Sequence, residues 1–537
     1  MRRCVASVFI AFTLGFTACG GEATVASDDF AHPSDCAACH PTQHREWQGS
    51  VMHYAAVSPV FNAFEIAMVE LSEGQVAANG PRANFCNECH SPTGVYNDEI
   101  PGFDPEAGAR PMVEQLSEVG RQGVSCDVCH TVTGPDIEES LLQDGIANVS
   151  FLFEPGAVRV GPFADAQSSY HETSSSTYLS SAEFCGSCHD VRLPKADVIT
   201  GEPFQRLENL FTEWQEGPYA TSDNPYGKPI RCQDCHMSLY PLEAPGTFPQ
   251  MPIADDPQQP NLKARSHALH AFTAVSFPFI DDPEFPNVDS AEVDAFGYPL
   301  GQRQRREQML RAAVTLTLEG TATTADANWK TLPIDVTVTN TGAGHRVPAG
   351  FSQERQVWIE LVVRDDAGIV YQSGHLADIA HPETGEGEPD GRLDDEDLQD
   401  HHVHIDPQTL ASTYEPGPDV DQRPARNLGL VNFQNKFVRI REDGSWETVI
   451  NPLLADHMDN GHSLDMLVPT SFRYDVPRPD RAIVGDVQVT ARLRYRAFPP
   501  HFLRALAQRQ PDLVTEAIVD RNTIVDMAES DCVITFR

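Results

Sequence analysis

The sequence predicts two domains in series: a mostly α and irregular domain built around a repeated cysteine phrase, then an antiparallel β-sandwich. Three observations carry this. The five-residue phrase Cys-x-x-Cys-His occurs five times between residues 36 and 236. The stretches between copies are rich in turn signals, such as Ala78-Asn79-Gly80-Pro81 and Pro101-Gly102-Phe103-Asp104-Pro105, and leave room only for local helices, as around Val60 to Ser72. Beyond residue 312, seven segments mostly alternate apolar with polar residues, the period of half-buried strands.

The copies of the phrase are Cys36/Cys39/His40, Cys86/Cys89/His90, Cys126/Cys129/His130, Cys185/Cys188/His189 and Cys232/Cys235/His236. Each is the attachment signature of c-type haem, in which two thiols add across the porphyrin vinyl groups and the adjoining imidazole reaches the iron. A lone Cys-x-x-Cys also fits a redox dithiol or half a zinc site. Here ten of the thirteen cysteines form five pairs of identical spacing, each followed at once by His. Zinc would leave that His unexplained, and a disulfide framework needs no equal spacing. Five covalently attached haem c groups are expected, with the ten cysteines as anchors and the five motif histidines as iron ligands.

At the start of the chain, Arg2 and Arg3 precede an apolar run from Val5 to Phe16 that is too short to span a membrane and reads as an export signal. Phe16-Thr17-Ala18-Cys19-Gly20 resembles the lipobox of bacterial lipoproteins, with Phe where Leu is commoner. That resemblance implies a signal peptide over residues 1–18 and a lipid anchor on Cys19, holding the protein at a bilayer, with the outer membrane, on its periplasmic face or at the cell surface, as the expected location. An ordinary signal peptide cut nearby is the alternative, and export fits haem attachment either way. No later apolar run is long enough to span a membrane.

The formal charge is −40, from 38 basic and 78 acidic residues, and loss of Arg2 and Arg3 takes it to −42. A field of that sign argues against nucleic acid and favours basic proteins or cations as partners; it also serves solubility. With one motif per few dozen residues, the porphyrins themselves must form much of the core, lying close enough for electrons to pass between them. This is a haem-packed domain.

Five irons need sixth ligands. Ahead of residue 350 the histidines outside the motifs are His32, His44, His53, His171, His267, His270 and His345. Seven candidates for five positions allow bis-His ligation throughout, which saturates the iron, keeps its potential low relative to Met/His, and leaves no place for substrate.

Glu46-Trp47-Gln48-Gly49-Ser50-Val51-Met52-His53 resembles the W-x-x-S-x-x-H-type segment after the first motif in the multihaem cytochrome c family, which includes the tetrahaem cytochrome of ammonia oxidisers. Ser180-Ser181-Ala182-Glu183-Phe184 running into Cys185 with His171 upstream, Cys235-His236-Met237, and Ser266-His267-Ala268-Leu269-His270-Ala271-Phe272 resemble the same family. The resemblance implies that His53, His171 and His270 are distal haem ligands. His267 is a further candidate ligand, since one of two histidines three apart suffices for an iron; otherwise it is a neighbouring imidazole. His44 reads as exposed and His32 as a linker residue.

Taken in order, residues 19–275 form the pentahaem cytochrome c domain. Residues 276–312 are an acidic, Pro-punctuated linker ending in an amphipathic helix from Gly301 to Ala312. Residues 313–537 form the β-sandwich, with strands at Val314–Leu318, Ile334–Thr339, Val357–Val363, Phe437–Ile440, Phe472–Val476, Val487–Tyr495 and Val533–Phe536, and a helix within Pro499–Arg521 that carries Phe502, Leu503 and Leu506 on one face. Where the second strand ends, Gly344-His345-Arg346-Val347-Pro348-Ala349-Gly350 places a His on a constrained loop. The family resemblance includes this G-H-x-x-P-x-G element, followed by a Trp-bearing strand (Trp358), and implies that His345 ligates a haem across the domain interface. His401, His402 and His404 lie among Asp394, Asp395, Glu396, Asp397, Asp400 and Asp406, a cluster that reads as solvated or as a divalent-cation site. Cys532 reads as a buried thiol at the start of the last strand.

The expectation is a pentahaem c-type cytochrome that relays electrons between redox partner proteins of the bacterial cell envelope. A reductase of a small nitrogen or sulfur oxyanion with one open haem is the competing reading, and the residues leave open whether the chain is an enzyme.

Overall fold

The computed structural model describes residues 30–71, 86–100, 110–136, 146–256, 261–319, 324–325, 329–374 and 431–536. Residues 1–18, Cys19 and the cluster around His401, His402 and His404 lie outside the described residues. Among the described residues no helix is long and apolar enough to cross a membrane.

The first half is made of short helices joined by turns. Four of the cysteine phrases end a helix on their own histidine: Asn87–His90, Cys126–His130, Ala182–His189 and Cys232–His236. At helical spacing the two cysteines and the histidine, three and four residues apart, share one face. The first phrase overlaps a short helix at Pro33–Ala37 and runs into α1 (Pro41–Gln48). The longest helix of this half is α2 (Pro59–Leu71), buried along most of its length because its run of apolar residues leaves no polar face to water. A parallel pair, β1 (Val158–Gly161) and β2 (Glu172–Ser175), and a hairpin, β3 (Val191–Leu193) and β4 (Gln205–Glu208), complete the frame around the motifs.

After α3 (Gln302–Ala313) the chain turns to sheet. β5 (Val314–Glu319), β6 (Thr331–Asn340) and a later strand, here β12 (Thr470–Pro477), form an antiparallel sheet in the order β12-β6-β5. The second sheet has β7 (Gln356–Asp365), β8 (Gly368–Ser373), β13 (Val487–Arg496) and β14 (Val525–Phe536) in the order β14-β13-β7-β8, with Val357 opposite Tyr495 and Val487 opposite Ile534. β9 (Lys436–Ile440), β10 (Trp446–Val449) and β11 (His457–Asp459) make a third small sheet. All seven expected strands are present. β14 is longer than the Val533–Phe536 segment, because polar residues at Asp526, Glu529 and Asp531 obscure its alternation. Cys532 consequently lies well inside β14, and it is half-buried rather than fully enclosed. The expected helix within Pro499–Arg521 is two, α4 (Pro500–Arg509) and a shorter one at Glu516–Arg521, broken around Pro511.

The two larger sheets share one apolar cluster: Ile334, Val336 and Val338 of β6 pack in the same core as Val357, Ile359 and Leu361 of β7 and Val487 and Val489 of β13. That cluster continues into the first half through Val60, Phe64 and Met68 of α2 and Phe277, Phe279 and Phe285. Phe64 meets Phe502 of α4 edge-on at 5.3 Å and Phe351 at 5.6 Å. The strand-rich half is therefore packed directly against the motif-bearing half, with apolar surface removed from water on both sides.

Candidate haem-binding site

All ten motif cysteines and all five motif histidines line one continuous cavity of about 1860 Å³. This exceeds the volume of a pocket for one small ligand, roughly 300–1,000 Å³. The motifs crowd together inside it. The thiols of Cys36 and Cys126 are close enough to shift one another's proton affinity, as are those of Cys89 and Cys188 and those of Cys185 and Cys232, and Cys89 Sγ lies 3.9 Å from the Cys188 carbonyl.

Three motif histidines face a second imidazole across the cavity. His40 and His171 have ring centres 6.5 Å apart, His130 and His270 6.3 Å, and His236 and His345 6.4 Å. Two metal–nitrogen bonds of about 2 Å, plus about 1.2 Å from each nitrogen to its ring centre, give about 6.4 Å for two imidazoles sharing one ion. The spacing suits one metal ion between each pair.

The imidazoles are also oriented for that role. Nδ1 donates to a backbone carbonyl in His40 (Ile253, 2.8 Å), His90 (Ala55, 3.0 Å), His130 (Val160, 2.7 Å), His236 (Thr273, 2.6 Å), His171 (Glu172, 3.0 Å) and His345 (Arg346, 2.9 Å). Fixing the proton on Nδ1 leaves Nε2 as the free lone pair. Burial holds His90, His189, His270 and His345 at about 4 and lowers His40, His130 and His236, so these rings are neutral, the form that ligates metal. The cysteines, the neutral imidazoles and the shared cavity fit covalently held haem.

His345 reaches the cavity from the strand-rich half. Its loop is tied down on both sides: Asn340 Nδ2 donates to the His345 carbonyl (2.7 Å), the Arg346 amide to Glu213 (3.0 Å), and the Tyr219 hydroxyl to the Thr341 carbonyl (2.7 Å). A side chain at Gly342 would collide with the Ala312 carbonyl, so only glycine lets the loop close against α3.

Two expected ligands are placed elsewhere. His53 is 3% exposed and does not line the cavity. Its ring lies between Trp47 (4.2 Å) and Phe285 (4.5 Å), Nδ1 donates to the Gln48 carbonyl (2.8 Å), and the Gln122 side chain takes a further bond. The W-x-x-S-x-x-H segment instead uses Ser50 to cap the short helix Val51–Tyr54 and Trp47 to bond the Val124 carbonyl (2.8 Å), which turns His53 into the core. His267 is 2% exposed, and its Nε2 is 3.0 Å from both oxygens of Glu46, so this imidazole is engaged by a carboxylate beside His270. His44 lines the cavity near Trp47, and His32 caps the first short helix; neither faces a motif histidine. Among the described residues His90 and His189 face no second imidazole. Sequence reading also passed over the buried carboxyls around the cavity: burial raises Glu65, Glu208 and Glu213 to about 7. Isolated acidic residues in an acidic chain carry no signal that would single them out.

Comparison with known proteins agrees with this reading of the cavity. The family described as cytochrome c554 and c-prime matches residues 35–131, which hold the first three motifs. The solved structure of a penta-heme cytochrome c552 from Thermochromatium tepidum superposes with a TM-score of 0.50 at 15% identity, covering 94% of this chain and 99% of that one. No curated protein matches the chain. The fold is that of a multihaem c-type cytochrome.

Proposed function

We propose that this chain is a pentahaem cytochrome c that relays electrons within the bacterial cell envelope, through sites of which at least three are bis-His. The observation that carries this is the set of three imidazole pairs at 6.3–6.5 Å across the cavity. Bound haem supplies one reversible electron-accepting iron per site. The protein's share is to anchor each group through two thiols, to hold both imidazoles neutral and fixed at Nδ1, and to exclude water. The neighbouring cysteine pairs support an order that departs from the sequence, with the first motif beside the third, and the fourth beside both the second and the fifth. The thiols of the third and fourth motifs also influence one another, through Cys129 and Cys188. Groups on these motifs would form one connected relay with the fourth site as its junction.

We read the two sheets with a shared core as the expected β-sandwich, locked to the haem domain through His345. The N-terminal signal supports export with a lipid anchor on Cys19, and the acidic surface supports a basic redox partner. A second reading, reduction of a small nitrogen or sulfur oxyanion, is favoured by His90 and His189, which lack a second imidazole among the described residues.

Low-temperature EPR of the fully oxidised holoprotein, with haem counted by the pyridine haemochrome assay, tests both. Five haems, all low-spin, leave electron relay as the function. A high-spin signal worth one or two haems moves the assignment to substrate reduction at the second or fourth motif. Fewer than three bis-His signals would overturn the ligand pairs.

A further inference from the structure

Six of the eight motif and pairing histidines donate Nδ1 to a neutral carbonyl. His270 differs. Its Nδ1 is buried and makes none of the well-formed carbonyl bonds of the other six; the Ala268 carbonyl is near it, and Oε2 of Glu46 lies 4.0 Å away. Glu46 is already bound to the same segment, because Oε2 accepts the His270 backbone N–H at 2.9 Å and both oxygens take Nε2 of His267 at 3.0 Å. The carboxylate comes from α1, the helix that follows the first motif, yet its side chain is only 11% exposed and ends at the partner of the third motif. Arg305 lies near enough for Glu46 to act on its charge. A carboxylate in that position has one geometric effect and one electrostatic effect. It fixes the loop that carries His270, and it places an anionic oxygen 4.0 Å from Nδ1. An imidazole that donates to carboxylate is a more basic ligand and favours the ferric over the ferrous iron.

Resting on the relay proposed above, we infer that Glu46 is the positioning residue for His270 and holds the haem of Cys126/Cys129 at a lower potential than its bis-His neighbours.

The test is Glu46→Gln in the full holoprotein, followed by potentiometric titration monitored by low-temperature EPR. Gln keeps the size and an acceptor oxygen but removes the charge. The expected result is a changed g-value set and a raised midpoint for one low-spin haem, with haem stoichiometry and the other bis-His signals unchanged. No change in any signal, or an equal rise in all of them, would overturn the inference. If Glu46→Gln does not assemble five haems, Glu46→Asp decides: it keeps the charge but draws it back, so the same single midpoint must rise by less. A wild-type protein without bis-His signals would sink the relay reading itself, whereas a wild type with them and an unmoved variant sinks only the role of Glu46. Glu46, His267 and His270 also have the composition of a metal site, and stoichiometric non-haem metal in the wild-type protein would likewise overturn the inference.

Discussion

Replacing Glu65 with Gln should remove a pH-dependent loss of stability that the wild type suffers between acid and mildly alkaline solution. Glu65 is 8% exposed in α2, its Oε1 accepts from Asn87 Nδ2 at 2.7 Å, and burial lifts its carboxyl from 4.5 to about 7 against the smaller opposing effect of that hydrogen bond. The folded chain therefore keeps a proton that the unfolded chain releases. The sign follows: the contribution is fully present below about pH 4.5 and is lost as pH rises through about 7. By pH 8 the difference is worth about 3 kcal/mol for this one group. The Glu65→Gln side chain would keep the bond to Asn87 and has nothing to ionise. Denaturant unfolding of both proteins at pH 5 and pH 8, followed by far-ultraviolet dichroism, reads the effect as a difference of differences. Glu208 and Glu213 titrate in the same window and cancel in that comparison. Wild type and variant losing the same stability between the two pH values would refute the burial argument.

His345→Met should abolish one bis-His EPR signal and leave the others, since the His345 ring faces His236 at 6.4 Å; an unchanged spectrum would refute that pairing. His53→Asn should keep every low-spin signal while lowering stability by about 1–3 kcal/mol in thermal or denaturant unfolding, because a stacked, hydrogen-bonded core ring is lost; loss of a low-spin haem would restore His53 as a ligand.

The cysteine phrases were legible because their chemistry is local. Cys36, Cys39 and His40 must sit within one turn of backbone to hold one group, and that requirement is written in consecutive residues. The strands of the second half were legible for a similar reason: Val487–Arg496 alternates because one face meets the core and the other meets water. Partners across the cavity have no such local rule. His53 and His171 both looked like ligands, and the structure places them differently: His171 faces His40 across the cavity, while Trp47 and Phe285 close over the His53 ring, a fact of tertiary packing that spans more than two hundred residues of sequence. His267 and His270 are three apart on one segment, and their roles are divided by Glu46, which comes from the far side of the motif region.

That division bears on how the molecule holds together. Each facing imidazole lies far along the chain from its motif: His171 is 131 residues after His40, His270 140 after His130, and His345 109 after His236. A contact of that span is costly in chain entropy until something rewards it. Before the pairs can share an ion, the reward must come from ordinary packing, and the cluster joining Phe64 and Phe279 to Val336 and Val357 is placed to provide it. The apolar core thus brings the histidine loops near their partners, and bonds such as Glu46 to the His270 amide and Asn340 to the His345 carbonyl hold the last few ångströms. On this account the shared core does more than cover the motif region: it sets the spacing of the facing imidazoles, on which the proposed bis-His ligation depends.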